Sequence, residues 1–358
     1  MGRRVIDPPL QEQAVGKSPD EGNTPLGCAA RRSRKQNLNR SSEERNSEER
    51  NSDERNSEET VRVCGDETDE IDEIDEITEK MSRTFSDRIR RRRWRMERFT
   101  HRGISLEYED RGEGRPFLFL HGMGGSVKSI LPLCSQITGL RLITLNQQGH
   151  GESGANWDTY SFDTLADDAA ALLDHLGIEQ AAAGGISMGA AVSLNLAVRC
   201  PERVTKLLLV RNAWTDQPMS EEVQEAYADL GRALHEGGPD AFRKTRGWKT
   251  VRDTSSSYTR NAFMSTFDDP ACVRNWQKYL ILPPRAPVTS PREYEKLTMP
   301  VTIIACRGDL CHPFACGEYL AQQIGHASFM EIPNKDTDSA AHNRMIKEVI
   351  QADFAGPL

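Results

Sequence analysis

The stretch Gly184-Gly185-Ile186-Ser187-Met188-Gly189-Ala190 lies between segments of different periodicity. A small apolar run, Ala181 to Ala183, precedes it, and residues with helical spacing follow it from Ala191 to Ala197. The pattern predicts a strand, a sharp turn and a helix, with the serine in Gly-x-Ser-x-Gly spacing. In such a turn the serine has a strained backbone, and the flanking glycines stand where strand and helix pass too closely for a Cβ atom. Ser187 is therefore the candidate nucleophile.

The chain divides by composition into an N-terminal tail and a folded part. Its 358 residues are 37% hydrophobic, and the deficit is concentrated before about residue 97. Ser42-Glu43-Glu44-Arg45-Asn46 recurs almost unchanged twice, and a five-residue period fits neither a helical stripe nor a strand. Such a segment buries too little apolar surface to offset its chain entropy. We predict a disordered, low-complexity charged tail over residues 1–96 and one α/β domain over residues 97–358.

Composition also limits the expected partners and location. No stretch is apolar and long enough to span a bilayer, and the N-terminus lacks the apolar core of a signal peptide. The eight cysteines are scattered, which is typical of free thiols in a reducing compartment. The arginine cluster around Trp94 is best interpreted as a solvated run beside the acidic tract. A cytoplasmic protein without nucleic-acid or membrane partners is expected, and its oligomeric state stays open.

From about Glu97 the pattern alternates between strands and helices. Pro116 to Leu120 is an unbroken apolar run, typical of a strand that is buried on both faces. The alternation predicts a mostly parallel sheet with helices on both faces. Between residues 214 and 298 the rhythm breaks into helix-like mixtures that carry several aromatic residues, and we interpret this segment as an inserted helical cap.

A glycine-rich loop, His121-Gly122-Met123-Gly124-Gly125, directly follows the buried strand. Such a loop at the carboxyl end of a central strand can direct backbone N–H groups toward an oxyanion. The two predicted donors are the N–H groups of Met123 and Met188, the second belonging to the residue after Ser187. His121, Gly122 and Trp214 are the predicted substrate-binding residues, Trp214 because cap aromatics would line an apolar pocket.

With these motifs the chain resembles the α/β-hydrolase fold superfamily. The resemblance runs from about Glu97 to the end and includes Gly149-His150-Gly151-Glu152-Ser153 after the next strand. It implies that the loop after a late strand carries the acid of a catalytic triad, and Asp309 stands at that position. Asp216, after the preceding strand, is a second candidate for the acid.

The histidine departs from the family pattern. The resemblance implies a histidine in the first residues after the last strand, where this chain has Asn334-Lys335-Asp336. His342 follows several residues later and is the predicted base, in the correct chain order after Ser187 and Asp309. His150 and His312 also lie on loops after strands and are alternative bases.

Two functions follow from these residues. The first is a serine hydrolase that acts on a carboxylic ester or similar small acyl substrate, with Ser187, His342 and Asp309 as its triad. The alternative is a non-catalytic protein of the same fold that binds a small molecule or serves as a scaffold and lacks a working histidine. The spacing of Cys306, Cys311 and Cys316 is wrong for a zinc site, so no metal or other cofactor is expected.

Overall fold

The computed structural model describes residues 96–356. Almost all of the predicted disordered tail lies outside this range. Within the range, no helix is long and apolar enough to cross a membrane.

The described residues form one sheet of eight strands in the order β1-β2-β4-β3-β5-β6-β7-β8. The pairs β1–β2 and β2–β4 are antiparallel and all other pairs are parallel. The mostly parallel sheet predicted from the sequence is thereby confirmed. The strands are β1 (Glu97–His101), β2 (Ile104–Arg111), β3 (Arg115–Leu120), β4 (Leu140–Leu145), β5 (Ala181–Ile186), β6 (Val204–Val210), β7 (Val301–Ala305) and β8 (Ser328–Glu331).

Helices cover both faces of the sheet. They are α1 (Val127–Cys134), α2 (Phe162–His175), α3 (Met188–Arg199), α10 (Phe314–Gln323) and α11 (Lys335–Val349). Helices α4 to α9 belong to the insertion described in the next paragraph. Strand β3 shows why two covers are needed. Its Phe117 and Phe119 belong to the hydrophobic cluster under α1 and α11, whereas Leu118 and Leu120 belong to the cluster under α2 and α3. The unbroken apolar run therefore buries side chains on both faces.

An insertion of short helices connects β6 to β7. It contains α4 (Glu221–His235), α5 (Gly238–Phe242), α6 (Arg246–Thr254), α7 (Ser257–Ser265), α8 (Pro270–Arg274) and α9 (Lys278–Ile281). Stacked rings hold these helices together, with Tyr227 and Phe263 4.9 Å apart between ring centroids and Tyr227 and Tyr279 6.0 Å apart. The predicted limits of the cap, residues 214–298, stay a prediction.

The two ends of the fold differ from the sequence reading. Strand β1 was not predicted, and it pairs with β2 as a hairpin at the edge of the sheet. The sequence pattern predicts the last helix over Ser339 to Phe354, but α11 begins at Lys335 and is kinked at Asp338. Two caps explain the early start and the kink, because Asn334 Oδ1 accepts from Asp336 N–H at 2.9 Å and Asp338 Oδ1 accepts from Ala341 N–H at 2.8 Å.

Candidate active site

Ser187 lies in the turn between the central strand β5 and helix α3. Its backbone has φ 57° and ψ −116°, a conformation that non-glycine residues rarely adopt. The turn is held from both sides, since Ser187 N–H donates to Val210 O and Ser187 O accepts from Ala191 N–H, each at 3.0 Å. The predicted strand, sharp turn and helix are therefore present, with the serine at the strained position.

The glycines on either side of Ser187 are required by close backbone contacts. A Cβ atom on Gly185 would lie 2.4 Å from the carbonyl carbon of Gly189. A Cβ atom on Gly189 would lie 2.1 Å from Leu120 O in the neighbouring strand. Neither neighbour is a flexible side chain, so the turn accepts no larger residue at these positions.

Replacement of Gly189 by alanine is therefore expected to destabilise the protein by about 3 kcal/mol, because rigid backbone must move to admit the methyl group. The midpoint of urea unfolding measures the change. The control is Gly325→Ala, since a Cβ atom at Gly325 meets no atom within 4 Å. Equal midpoints for the two variants would contradict the tight turn.

Two buried histidines hold the glycine-rich loop and use both ring nitrogens to do so. His121 Nδ1–H donates to Gly122 O at 2.9 Å, and its Nε2 accepts from Gln147 N–H at 3.2 Å. His150 Nδ1–H donates to Gln148 O at 3.0 Å, and its Nε2 accepts from Gly124 N–H at 3.3 Å. Burial lowers the pKa of His121 to about 4 and lowers that of His150 well below its ordinary value. Both are neutral rings with no nitrogen left to accept a proton from Ser187.

The residues of the two predicted oxyanion donors are the chain neighbours of Gly122 and Ser187. A Cβ atom built on Gly122 would lie 3.3 Å from Ser187 Cβ, which places the glycine-rich loop against the serine. Among residues 96–356, Met123 N–H donates to no acceptor, whereas Gly124 N–H and Gly125 N–H are both used. Met188 is the first residue of α3, so its N–H lies outside the helical hydrogen bonds. Met123 lines the cavity at Ser187, whereas Met188 is buried and is not among its lining residues, so the role of the two N–H groups as oxyanion donors stays a prediction.

A cavity of about 440 Å³ opens at Ser187 between the carboxyl end of the sheet and the insertion. Insertion helices α4, α7 and α9 supply much of its apolar and aromatic wall, including Tyr227, Phe263 and Tyr279. Its polar groups include Ser187, Arg211, Tyr258, His312 and Lys335. Within the described part of the chain, no aspartate or glutamate lines this cavity.

Asp309 does not itself line the cavity, and hydrogen bonds occupy both of its carboxylate oxygens. Its Oδ2 accepts from Arg211 Nε at 3.1 Å and from Arg211 Nη2, and lies 2.9 Å from His312 Nδ1. Its Oδ1 accepts from the backbone N–H groups of Cys311 at 3.1 Å and His312 at 3.2 Å. Burial raises the pKa of Asp309, but His312 and Arg211 outweigh it and hold that pKa well below its usual range. The carboxylate is thus ionised and aligned on His312.

His312 is the imidazole that the structure brings to both Asp309 and the cavity. Burial lowers its pKa, Asp309 opposes that effect, and Arg211 adds to it, since Arg211 Nη2 lies 3.1 Å from His312 Nδ1. The ring is therefore neutral at neutral pH. When Nδ1–H donates to Asp309, Nε2 has a free lone pair.

His342, the predicted base, is placed differently. It is buried in α11, and its Nδ1–H donates to Pro333 O at 2.8 Å rather than to Asp309. The cavity at Ser187 is lined by its neighbour Asn343, and His342 is not among the lining residues. The structure therefore brings Ser187 and Asp309 toward one site but does not hydrogen-bond His342 to either.

Two further predicted residues also lie away from the cavity. Trp214 is 1% exposed and packs edge-on against Phe162 in the core, with ring centroids 5.2 Å apart. Asp216, the second candidate for the acid, accepts from Tyr294 O–H at 3.4 Å and from Gln217 Nε2 at 3.2 Å. Neither residue lines the cavity at Ser187.

Sequence reasoning missed a pair of residues that lines the cavity, Tyr258 and Lys335. Lys335 Nζ donates to Tyr258 Oη at 3.0 Å and lies 4.4 Å from the centre of its ring. Arg211 lies over the same ring, with its guanidinium carbon 5.6 Å from the ring centre. Burial raises the pKa of Tyr258, but Lys335 and Arg211 outweigh burial and lower it overall. Arg211 follows the end of β6 and Lys335 follows the end of β8. A position after a parallel strand was the feature of the sequence that could have identified both as site residues.

Two amide side chains, Asn146 and Gln148, lie on the loop before Gly149. Asn146 Nδ2 donates to Glu107 Oε2 at 2.9 Å, and its Oδ1 accepts from Val127 N–H at 2.9 Å. Gln148 Nε2 donates to Asp168 Oδ2 at 2.6 Å. Amide hydrogen bonds therefore fix the loop after β4.

Another cavity, of about 910 Å³, lies beside α1 and β4. Its wall combines apolar side chains with Arg111 and Lys128, and the described residues that line it include no histidine, aspartate or glutamate. Despite its larger volume, its described lining residues do not combine a serine in a strained turn with an imidazole, as the cavity at Ser187 does. Cys306, Cys311 and Cys316 are free thiols, and the described residues form no cluster with the composition of a metal site.

The comparisons with known proteins agree on the fold. Residues 115–231 match a family model described as alpha/beta hydrolase fold. The AB hydrolase superfamily protein YisY of Bacillus subtilis (strain 168) is 35% identical over 117 residues, 32% of this chain and 44% of that protein. The 2-hydroxymuconate semialdehyde hydrolase of Pseudomonas sp. (strain CF600) is 35% identical over 145 residues, 37% of this chain and 50% of that protein. The chain thus matches half or less of these relatives' length.

Solved structures extend the likeness to most of the described chain. The enol-lactonase from Burkholderia xenovorans LB400 superposes with a TM-score of 0.57 at 20% identity, covering 71% of this chain and 98% of that one. MGS-M2, an alpha/beta hydrolase enzyme from a Medee basin deep-sea metagenome library, gives a TM-score of 0.57 at 18% identity, covering 71% and 96%. At these identities the likeness shows the fold. The family-model match ends at residue 231, before Asp309, His312 and Lys335.

Proposed function

We propose that this chain, which has the α/β-hydrolase fold, is a serine hydrolase of small acyl compounds such as carboxylic esters. The observation that carries the proposal is the strained Ser187, which opens onto the same cavity as an imidazole bound to an ionised carboxylate. Hydrolase names among the relatives, including 2-hydroxymuconate semialdehyde hydrolase, support the reaction class. A cytoplasmic location stays a prediction.

We assign the base to His312. With Nδ1–H donating to Asp309, Nε2 accepts the proton of Ser187 Oγ as the hydroxyl attacks the substrate carbonyl. Asp309 then stabilises the imidazolium. Arg211 shares that carboxylate, so it weakens this stabilisation and makes His312 a weaker base than it would be beside an unshared aspartate.

The remaining steps use groups that flank the serine. The carbonyl oxygen becomes an oxyanion, which the N–H groups of Met123 and Met188 stabilise. His312 then donates its proton to the leaving alkoxide, which departs as the alcohol and leaves an acyl group on Ser187. Water attacks this ester and gives a proton to His312. When the C–Oγ bond breaks, His312 returns that proton to Ser187 Oγ, and the carboxylic acid is released with serine and histidine restored. The scheme uses no metal or organic cofactor.

The pH dependence of turnover follows from the environment of His312. Only the neutral ring accepts a proton, and burial lowers its pKa below the ordinary 6.5. We expect kcat/KM to stay constant from about pH 7 upward and to fall toward acid with a midpoint below that of a free histidine. A pH profile with a stable neutral ester measures the midpoint. An acid limb centred well above 6.5 would contradict His312 as the base.

One observation favours the non-catalytic alternative. Lys335 occupies the region where the superfamily resemblance implies a histidine, and His342 is bonded to a backbone carbonyl. A binding protein predicts stabilisation by ligands without turnover. A panel of short-chain esters run on the full chain separates the two functions, because the hydrolase predicts alcohol release above the buffer rate for at least one ester.

A further inference from the structure

The wall of the Ser187 cavity carries unbalanced positive charge. Arg211 and Lys335 line it, and no carboxylate lines it among the described residues. Asp309, which does not line the cavity, neutralises Arg211, because Arg211 Nε and Nη2 both donate to Asp309 Oδ2. Lys335 forms no ion pair with an aspartate or glutamate in 96–356, and its Nζ hydrogen-bonds to the side-chain oxygen of Tyr258. One cationic group therefore faces the cavity without a carboxylate partner.

Lys335 is held in position by contacts from the insertion. Tyr258 accepts its hydrogen bond at 3.0 Å. Tyr258 is itself fixed, because its backbone N–H donates to Asp336 Oδ1 at 3.0 Å, and Ser257 Oγ donates to the same oxygen at 2.6 Å. The start of α7 and the start of α11 are thus tied together around the ammonium group. An ordered ammonium loses less side-chain entropy on binding an anion than a free surface lysine does.

We propose that the substrate is an acyl compound that carries a carboxylate, and that Lys335 binds this carboxylate in the Ser187 cavity. The inference deepens the proposed hydrolase function and rests on it for turnover. The ammonium has two N–H donors left after its bond to Tyr258, and a charge-assisted hydrogen bond to a carboxylate is stronger than one to a neutral group. Lys335 thereby selects the substrate, and Tyr258 positions the ammonium group of Lys335.

Two esters test the selectivity. Methyl hexanoate and monomethyl adipate share one acyl chain length and differ in a terminal carboxylate. We expect the full-length protein to prefer monomethyl adipate by about tenfold or more in kcat/KM, followed by acid release at constant pH. Lys335→Met should remove this preference, and Lys335→Arg should keep most of it. Lys244, exposed on the insertion, provides the control, since Lys244→Met should keep the preference unchanged.

A binding measurement separates this inference from the proposed reaction. Adipate is titrated into Ser187→Ala and into Ser187→Ala with Lys335→Met, and its dissociation constant is measured by calorimetry. The inference predicts binding at least about tenfold weaker in the double variant. If adipate binding weakens in this way but the wild type hydrolyses no ester, the proposed hydrolase function is wrong and the proposed carboxylate-binding site is supported. Turnover without preference for the charged ester, or adipate binding that is absent or independent of Lys335, would overturn the inference.

Discussion

Ser187→Ala lowers kcat for the best ester by at least about a thousandfold, because the hydroxyl is the only group proposed to form the acyl-enzyme. The substitution removes one oxygen from a side chain that is 7% exposed and makes no side-chain hydrogen bond within residues 96–356, so the fold should persist. Initial rates with matched amounts of folded protein measure the effect.

A serine of the same cavity is the control for this variant. Ser265 lines the cavity from α7, and its Oγ donates to Ala262 O at 3.1 Å. Ser265→Ala should hydrolyse the ester within about threefold of wild type, since surface substitutions of this kind have small effects. Equal activity of Ser187→Ala and Ser265→Ala would remove Ser187 from the mechanism.

The second large effect distinguishes two histidines. His312→Ala should lower kcat/KM by about a thousandfold, because it removes the ring that accepts the serine proton. His342→Ala should retain most of the activity of the folded fraction, since its Nδ1 is bonded to Pro333 O and it does not line the cavity. Its effect should appear in stability, because it removes a buried ring.

Both variants are compared as activity per folded molecule, with the folded fraction determined by circular dichroism during urea unfolding. The reverse order of losses would favour His342, the base predicted from the sequence, and would require the start of α11 to rearrange when substrate binds. Equal and small losses would favour a serine activated without either histidine.

The sequence was sufficient for the fold and for the strained turn that carries Ser187. Phe117 to Leu120 had to be covered on both faces because four consecutive apolar side chains point alternately up and down. The Gly185 and Gly189 positions followed from backbone contacts that leave no room for a Cβ atom, and the structure has those contacts. These are local constraints, which a pattern of neighbouring residues records directly.

The base could not be read from spacing. Whether His342 reaches the serine depends on where α11 starts and how it bends, and caps from Asn334 and Asp338 decide both. The pair Asp309 and His312 is local, and the Asp-x-x-His spacing on one loop was a usable signal. The sequence could not show that Arg211, 98 residues earlier in the chain, shares the carboxylate of Asp309 with His312.

Tyr258 and Lys335 illustrate the limit set by long-range packing. They are 77 residues apart, and their hydrogen bond depends on how the insertion meets the start of α11. No periodicity of either segment records that contact. The selectivity proposed for Lys335 therefore required the structure, although the resemblance drawn from the sequence already implied a histidine, not a lysine, in that region.

The most direct test of the central claim is covalent labelling of the full chain with a fluorophosphonate, followed by peptide mapping by mass spectrometry. An activated serine beside two oxyanion donors reacts with this probe, whereas an ordinary hydroxyl does not. We predict one phosphonylated residue, Ser187, with labelling lost in Ser187→Ala and strongly slowed in His312→Ala. Absence of the adduct on folded protein, or an adduct on a different residue, would contradict the assignment of Ser187 as the nucleophile.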